Sequence, residues 1–138
     1  MTSMKLTAVT TVLGLGLAFV PAALATTSID ACLALANARG ALYLLTQTKD
    51  RSALDAINVK VQSASAELDS ILAQMTGPQA KVANDFKAVW EQFKATRERE
   101  IIPAVYRGDN ETAEKIANGI QFERLSKMWV IMSCHVIK

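Results

Sequence analysis

Histidine occurs once in this chain of 138 residues, at His135, and phenylalanine, tryptophan and tyrosine together make up 6% of it. No Ser-His-Asp or Cys-His-Asn set can be assembled around an imidazole whose neighbour, Cys134, is more readily oxidised than nucleophilic. There is no G-x-G-x-x-G or phosphate loop, no C-x-x-C and no H-x-x-x-H, which removes dinucleotide, phosphate-loop and structural zinc signatures. A Cys32, Cys134 and His135 metal site would still want a fourth ligand at suitable spacing. Nothing supports an enzyme. Charge of one sign is also missing. Fifteen bases stand against thirteen acids, a net of +2, too balanced for a nucleic-acid binder, which normally shows a basic face.

The N-terminus supplies what the rest lacks, an uninterrupted apolar run. Lys5 is followed by "LTAVTTVLGLGLAFV", then the helix breaker Pro21 and the small-x-small box Ala23-Leu24-Ala25. This reads as a secretory signal peptide over 1–25, cleaved after Ala25. A retained anchor is the rival, since Leu6 to Ala25 is just long enough to span a bilayer. The mature part, 26–138, is then one periplasmic domain, and export to an oxidising compartment favours pairing of Cys32 with Cys134.

After Thr26 the only glycines are Gly40, Gly77, Gly108 and Gly119, and the only prolines Pro78 and Pro103. The apolar residues between them recur at steps of three and four, the period of packed helices. Helix 1 starts near Ser28, capped by Thr27 or Ser28 with Asp30 in its first turn, and carries Cys32, Leu35, Ala38, Leu42 and Leu45 inward. Helix 2 has Ser52 as cap, Asp55 three residues on, and the stripe Leu54, Ile57, Val61, Ala64, Leu68, Ile71, Met75. Helix 3 runs from about Pro78 to Arg107 with Val82, Phe86, Val89 and Phe93 inward. Pro103 is expected to kink it by freeing the carbonyl of Arg99. Gly108 ends it, Asp109 or Asn110 caps helix 4, and Ala113, Ile116, Ala117, Ile120, Met128, Ile131 and Cys134 follow inward. Short turns between four helices predict an all-α, antiparallel up-down-up-down bundle.

That topology places the start of helix 1 beside the end of helix 4, so Cys32 and Cys134 become neighbours able to close a disulfide if their Cα atoms fall within about 7 Å. The same cysteine belongs to an incomplete haem tag. In "IMSCHVIK" the pair Cys134-His135 matches the second half of C-x-x-C-H, while Ile131 occupies the position of the first cysteine. The segment resembles the attachment region of cytochrome c′ and, by the position of its histidine, cytochrome b562, although no methionine occurs between Thr26 and Gln74 to oppose it. A haem protein using Cys134 and His135 is therefore the alternative; otherwise no cofactor is expected.

The stretch "FKAVWEQFKATREREIIPAVYRGDNETAEKIANGIQFERLSKM" has an aromatic pair, Trp90 and Phe93, then Arg97, a Gly108-Asp109 turn, and an alanine-rich helix start at Ala113 and Ala117. It resembles the four-helix-bundle sensory module of methyl-accepting chemotaxis receptors. The resemblance implies a head that binds a small ligand or a partner protein of the periplasm or membrane, and that pairs as a homodimer. The second span and the signalling domain of that family are not matched, which makes a free-standing relative the expectation. Polar groups beside the apolar stripes are the ligand candidates: Arg39 in helix 1, Arg97 in helix 3, Gln121 and Arg124 in helix 4. A guanidinium between helices can clamp a carboxylate through two parallel hydrogen bonds. The plainer expectations are that Arg97 pairs with Glu100 or Glu123, that "REREIIP" is a solvated face, and that Trp90 and Trp129 anchor the core. Gly40 marks close helix contact, either within the bundle or across a dimer.

Overall fold

The computed structural model describes residues 26–134. The signal-peptide expectation over 1–25 and the residue His135 lie outside them. Within the described residues six α-helices form four rods. The first is α1 (Ser28–Gln47) and the second α2 (Leu54–Gln74), preceded by a 3-10 turn (Arg51–Ala53). The third joins α3 (Ala80–Thr96) through a π-helical turn (Arg97–Ile101) to α4 (Ile102–Tyr106), and the fourth is α5 (Asn110–Asn118) followed by α6 (Ile120–Met132). Each rod packs antiparallel on the next, and the fourth returns to the first. Among the described residues no helix is long and apolar enough to cross a membrane.

Local chemistry explains where the rods begin. Thr27 accepts from the Asp30 backbone N–H while Asp30 accepts from that of Thr27, a reciprocal capping box that satisfies two donors of the first turn. The second start corrects the expected Ser52 cap. The carboxylate of Asp50 accepts from the backbone N–H and the hydroxyl of Ser52, so the cap sits two residues earlier and opens a 3-10 turn instead. Asp109 caps α5 by accepting from Thr112, after Gly108 has reversed the chain at φ +81°. Asn110 beside it donates to the carbonyls of Thr46 and Thr48 at 2.8 and 3.0 Å, finishing α1 from across the bundle.

The core is the predicted stripe with a drift. Cys32, Leu35, Ala38, Leu42 and Leu45 are all buried. In α2 the strict 3-4 alternation drifts against a 3.6-residue turn, so Ala64 and Ile71 slide to the edge while Ser65 and Leu72 take the interior. Ala83 replaces Val82 in the same way, and Trp90 and Phe93 stack at 5.4 Å between centroids. Pro103 acts as expected but by a wider route than a simple kink. The turn before it expands by one residue, the Ile102 N–H reaching back to the Arg97 carbonyl, which gives the proline ring room where the Arg99 carbonyl would crowd it. The fourth rod is broken at Gly119, which the apolar period did not show. A Cβ there would lie 3.0 Å from the Lys115 carbonyl oxygen. The break re-phases α6, so Ile120 is exposed and Gln121, Leu125, Met128 and Met132 face inward.

The expected disulfide closes the fold. Cys32 and Cys134, 102 positions apart, are bonded, with Cα atoms at 5.5 Å. It joins the first turns of the first rod to the last turn of the fourth.

Candidate ligand-binding site

The four polar candidates separate into two places. Arg97 leaves the third rod within the π-helical turn and points at α2, where it is 2% exposed. Its Nη1 donates to Ser65 Oγ, and its Nε and Nη2 donate to Glu98 Oε1 at 2.9 and 2.7 Å. Glu98 also accepts from Gln62 at 2.9 Å, and Ser65 donates onward to the Val61 carbonyl. The expected partners Glu100 and Glu123 are not used; adjacency on the widened turn brings Glu98 round instead. "REREIIP" is correspondingly not a solvated face throughout, since Arg97, Ile101 and Ile102 are buried. With its donors engaged by Ser65 and Glu98, Arg97 functions as a lock between the second and third rods.

The open groove beside it, about 480 Å³, is neutralised in the same manner. Asp69 accepts from the Trp90 indole N–H at 2.7 Å and from Lys94 at 2.9 and 3.0 Å, and Glu91 adds a second carboxylate 3.0 Å from Lys94. Burial works to lower the pKa of Lys94, but hydrogen bonds and attraction from Asp69 and Glu91 outweigh it and the net shift is upward. A cation already shared by two acids has little to offer an incoming anion.

Gln121 and Arg124 mark the other place, where the fourth rod meets the third, and Arg39 reaches its edge from the first. Gln121 is fully buried; its amide donates to the Phe93 carbonyl at 2.8 Å, and its Oε1 accepts from Arg124 at 2.9 Å. Arg124 also donates to Thr96 Oγ1 at 2.6 Å. Arg39 approaches Gln121 from α1. The two line a recess of about 80 Å³ together with Leu42, Tyr43, Asn118 and Phe122. The Arg39 guanidinium lies 5.6 Å from the ring centroid of Trp129, a cation-π contact that holds its charge at the rim. Neither Arg39 nor Arg124 forms an ion pair with a carboxylate among the described residues.

Trp129 therefore corrects the expectation of a core anchor: Trp90 is fully buried, whereas Trp129 is 37% exposed and serves as a platform for Arg39. Tyr43, Asn118 and Phe122 were missed, because none falls on an inward stripe. Asn118 lines the recess because the Gly119 break ends α5 beside it.

Haem held through the cysteine sulfurs does not fit these residues. Attachment needs the Cys134 sulfur and an axial thiolate would need that of Cys32, and each sulfur is bonded to the other. Among the described residues no group of three or more His, Cys, Asp or Glu is placed to hold a metal ion. Every buried side-chain nitrogen and oxygen among them has a hydrogen-bond partner, so the interior holds no orphaned polar group waiting for a ligand. The recess that brings two of the candidates, Arg39 and Gln121, together is the one at the rim of the seam. Comparison with family models, with curated proteins and with solved structures finds no match to this chain.

Proposed function

We propose that this chain is a non-enzymatic binding module of an extracytoplasmic compartment, of the kind that forms the sensor heads of chemotaxis receptors, and that it takes a small carboxylate at the seam of the first and fourth rods. The observation carrying this reading is the Arg39 guanidinium, which lines the recess with Gln121 and forms no ion pair with a carboxylate among the described residues. A carboxylate at the rim receives two parallel hydrogen bonds from Arg39, and its short alkyl part enters the recess against Leu42, Phe93 and Phe122. A volume of about 80 Å³ equals the share of two or three waters in the liquid, which suits the short alkyl part of a small acid. The disulfide supports an oxidising, periplasmic setting. A periplasmic or membrane protein is the partner through which such a head would report.

Thermal-shift titration with acetate, propionate, butyrate and succinate tests this. At about 100 times Kd a bound acid adds about 2.7 kcal/mol to stability. The shift is expected for the short monoacids and is expected to vanish in Arg39→Ala, an exposed position whose loss leaves the core intact. No shift with any of them, or an equal shift in Arg39→Ala, overturns the reading.

A further inference from the structure

Asn118 is the one asparagine of the chain that precedes a glycine. The pairing matters because an asparagine side chain can be attacked by the backbone nitrogen of the next residue, and glycine brings that nitrogen in with no Cβ in the way. The break between α5 and α6 is what puts glycine here. A Cβ at position 119 would lie 3.0 Å from the Lys115 carbonyl oxygen, so the break favours the very residue that leaves its neighbour open to cyclisation.

The surroundings add to this. Asn118 is the last residue of α5, and Gly119 leaves the helical path at φ −94° and ψ −110°. Asn118, Gly119 and Ile120 are all exposed. The Gly119 N–H donates to the Lys115 carbonyl at 3.0 Å. Releasing that bond unwinds the last turn of α5, and residues 114–120 include no fully buried side chain. Openings of this kind, at an exposed helix end, lie at the low end of local unfolding free energies. The other four asparagines are placed differently. Asn37, Asn58 and Asn84 stand inside α1, α2 and α3, ahead of Ala38, Val59 and Asp85. Asn110, ahead of Glu111, has its amide nitrogen engaged by the Thr46 and Thr48 carbonyls.

We propose that Asn118 is a site of spontaneous deamidation, and that the carboxylate left at the recess pairs with Arg39. The deprotonated Gly119 backbone nitrogen attacks Asn118 Cγ. A new C–N bond forms, the Cγ–Nδ2 bond breaks, and ammonia departs with the proton that the backbone amide gave up, leaving a cyclic imide. Water then adds to either imide carbonyl and opens the ring. Cleavage at Cγ gives an aspartyl residue; cleavage at the backbone carbonyl carries the main chain through Cγ as an isoaspartyl residue. Either way an amide and a water become a carboxylic acid and ammonia, with no change of oxidation state. Position 118 lines the recess with Arg39, whose guanidinium forms no ion pair with a carboxylate among the described residues. The new carboxylate offers it charge-assisted hydrogen bonds, stronger than its exposed contact with Trp129. The recess is then neutralised from within and ceases to attract an anion. That last consequence rests on the carboxylate reading of the recess; the modification and the pairing do not.

The full chain with its disulfide intact is held at mildly alkaline pH and mapped over time by mass spectrometry, beside the same chain unfolded in urea. Amide loss is expected at Asn118 ahead of every other asparagine, giving aspartyl and isoaspartyl products, at a rate within about tenfold of that in the unfolded chain. Earlier loss at another asparagine, or protection of Asn118 by more than about tenfold, overturns the site. The pairing is read separately, by NMR titration of the carboxyl in Asn118→Asp with and without Arg39→Ala. Its pKa is expected to be lower while Arg39 is present, because a neighbouring guanidinium favours the charged form. Lys115, in the last turn of α5, is common to both proteins and cancels. Equal values overturn the pairing. Neither measurement uses a ligand, so their failure is distinct from failure of the thermal-shift titration with short acids.

Discussion

Replacing Arg97 by methionine removes the most deeply buried charge among the described residues while keeping an unbranched stem in its place. The outcome depends on what the guanidinium leaves behind. Ser65 keeps its hydrogen bond to the Val61 carbonyl, and the side chain of Glu98, 46% exposed, can turn to water. No partner is stranded. The lost charge-assisted hydrogen bonds, each worth about 1.5 to 3 kcal/mol, are offset by the guanidinium no longer being taken out of water, and such exchanges are often neutral or better. Arg97→Met is expected to change unfolding free energy by about 1 kcal/mol or less. Glu98→Ala is the opposite case, because it leaves Arg97 buried with only Ser65 to receive its donors. Breaking a buried pair from one side costs about 3 to 5 kcal/mol, and water access through the Glu98 side reduces that to about 2 to 3 kcal/mol. Urea denaturation followed by circular dichroism, with equal m-values for all three proteins, measures both. If Arg97→Met proves the more damaging of the two, the account of Arg97 as a paired lock is wrong.

Two glycines should respond to alanine with opposite signs. At a concentration where the chain is monomeric, Gly40→Ala is expected to raise stability by about 0.5 to 1 kcal/mol, and Gly119→Ala to lower it by about 1 kcal/mol or more as its Cβ meets the Lys115 carbonyl; urea midpoints decide. The double variant Cys32→Ser, Cys134→Ser releases a closure of 102 positions and is expected to lose about 4 to 5 kcal/mol. A loss under about 1 kcal/mol would show that the bundle does not depend on the link. Asp30, Asp50 and Asp109 are held below the ordinary aspartate value of 3.8 by hydrogen bonds from Thr27, Ser52 and Thr112 respectively. Their folded values being depressed, the stability they contribute is present at neutral pH and is lost as pH falls below 3.8 through the depressed values. Acid titration of the melting temperature should show this loss, and Asp109→Asn should blunt it.

The rods were legible because burial follows period. Leu35, Leu42, Leu54, Phe86 and Phe93 could be placed from spacing alone, and the joining of Cys32 to Cys134 followed from an even number of antiparallel elements. Events that change the period were not legible. Gly119 sits at a helix break whose backbone leaves little room for a Cβ beside the Lys115 carbonyl, and the turn at Arg97 widens by one residue ahead of Pro103. The candidate site suffered from the same cause. Arg97 and Gln121 are equally polar in sequence, yet one bonds to Ser65 of α2 and the other to the Phe93 carbonyl of α3, because the widened turn and the Gly119 break lie between them. Tyr43 and Phe122 were invisible to a search for inward stripes, since their interest lies in being exposed.

The arrangement of four rods stands or falls on the neighbourhood of residues 32 and 134. Proteolysis of the native chain without reductant, followed by mass spectrometry, examines it directly. One cross-linked peptide pair containing Cys32 and Cys134 is the expected result. Recovery of both as separate alkylated thiols would contradict the packing of the first rod against the fourth, and with it the seam and its recess.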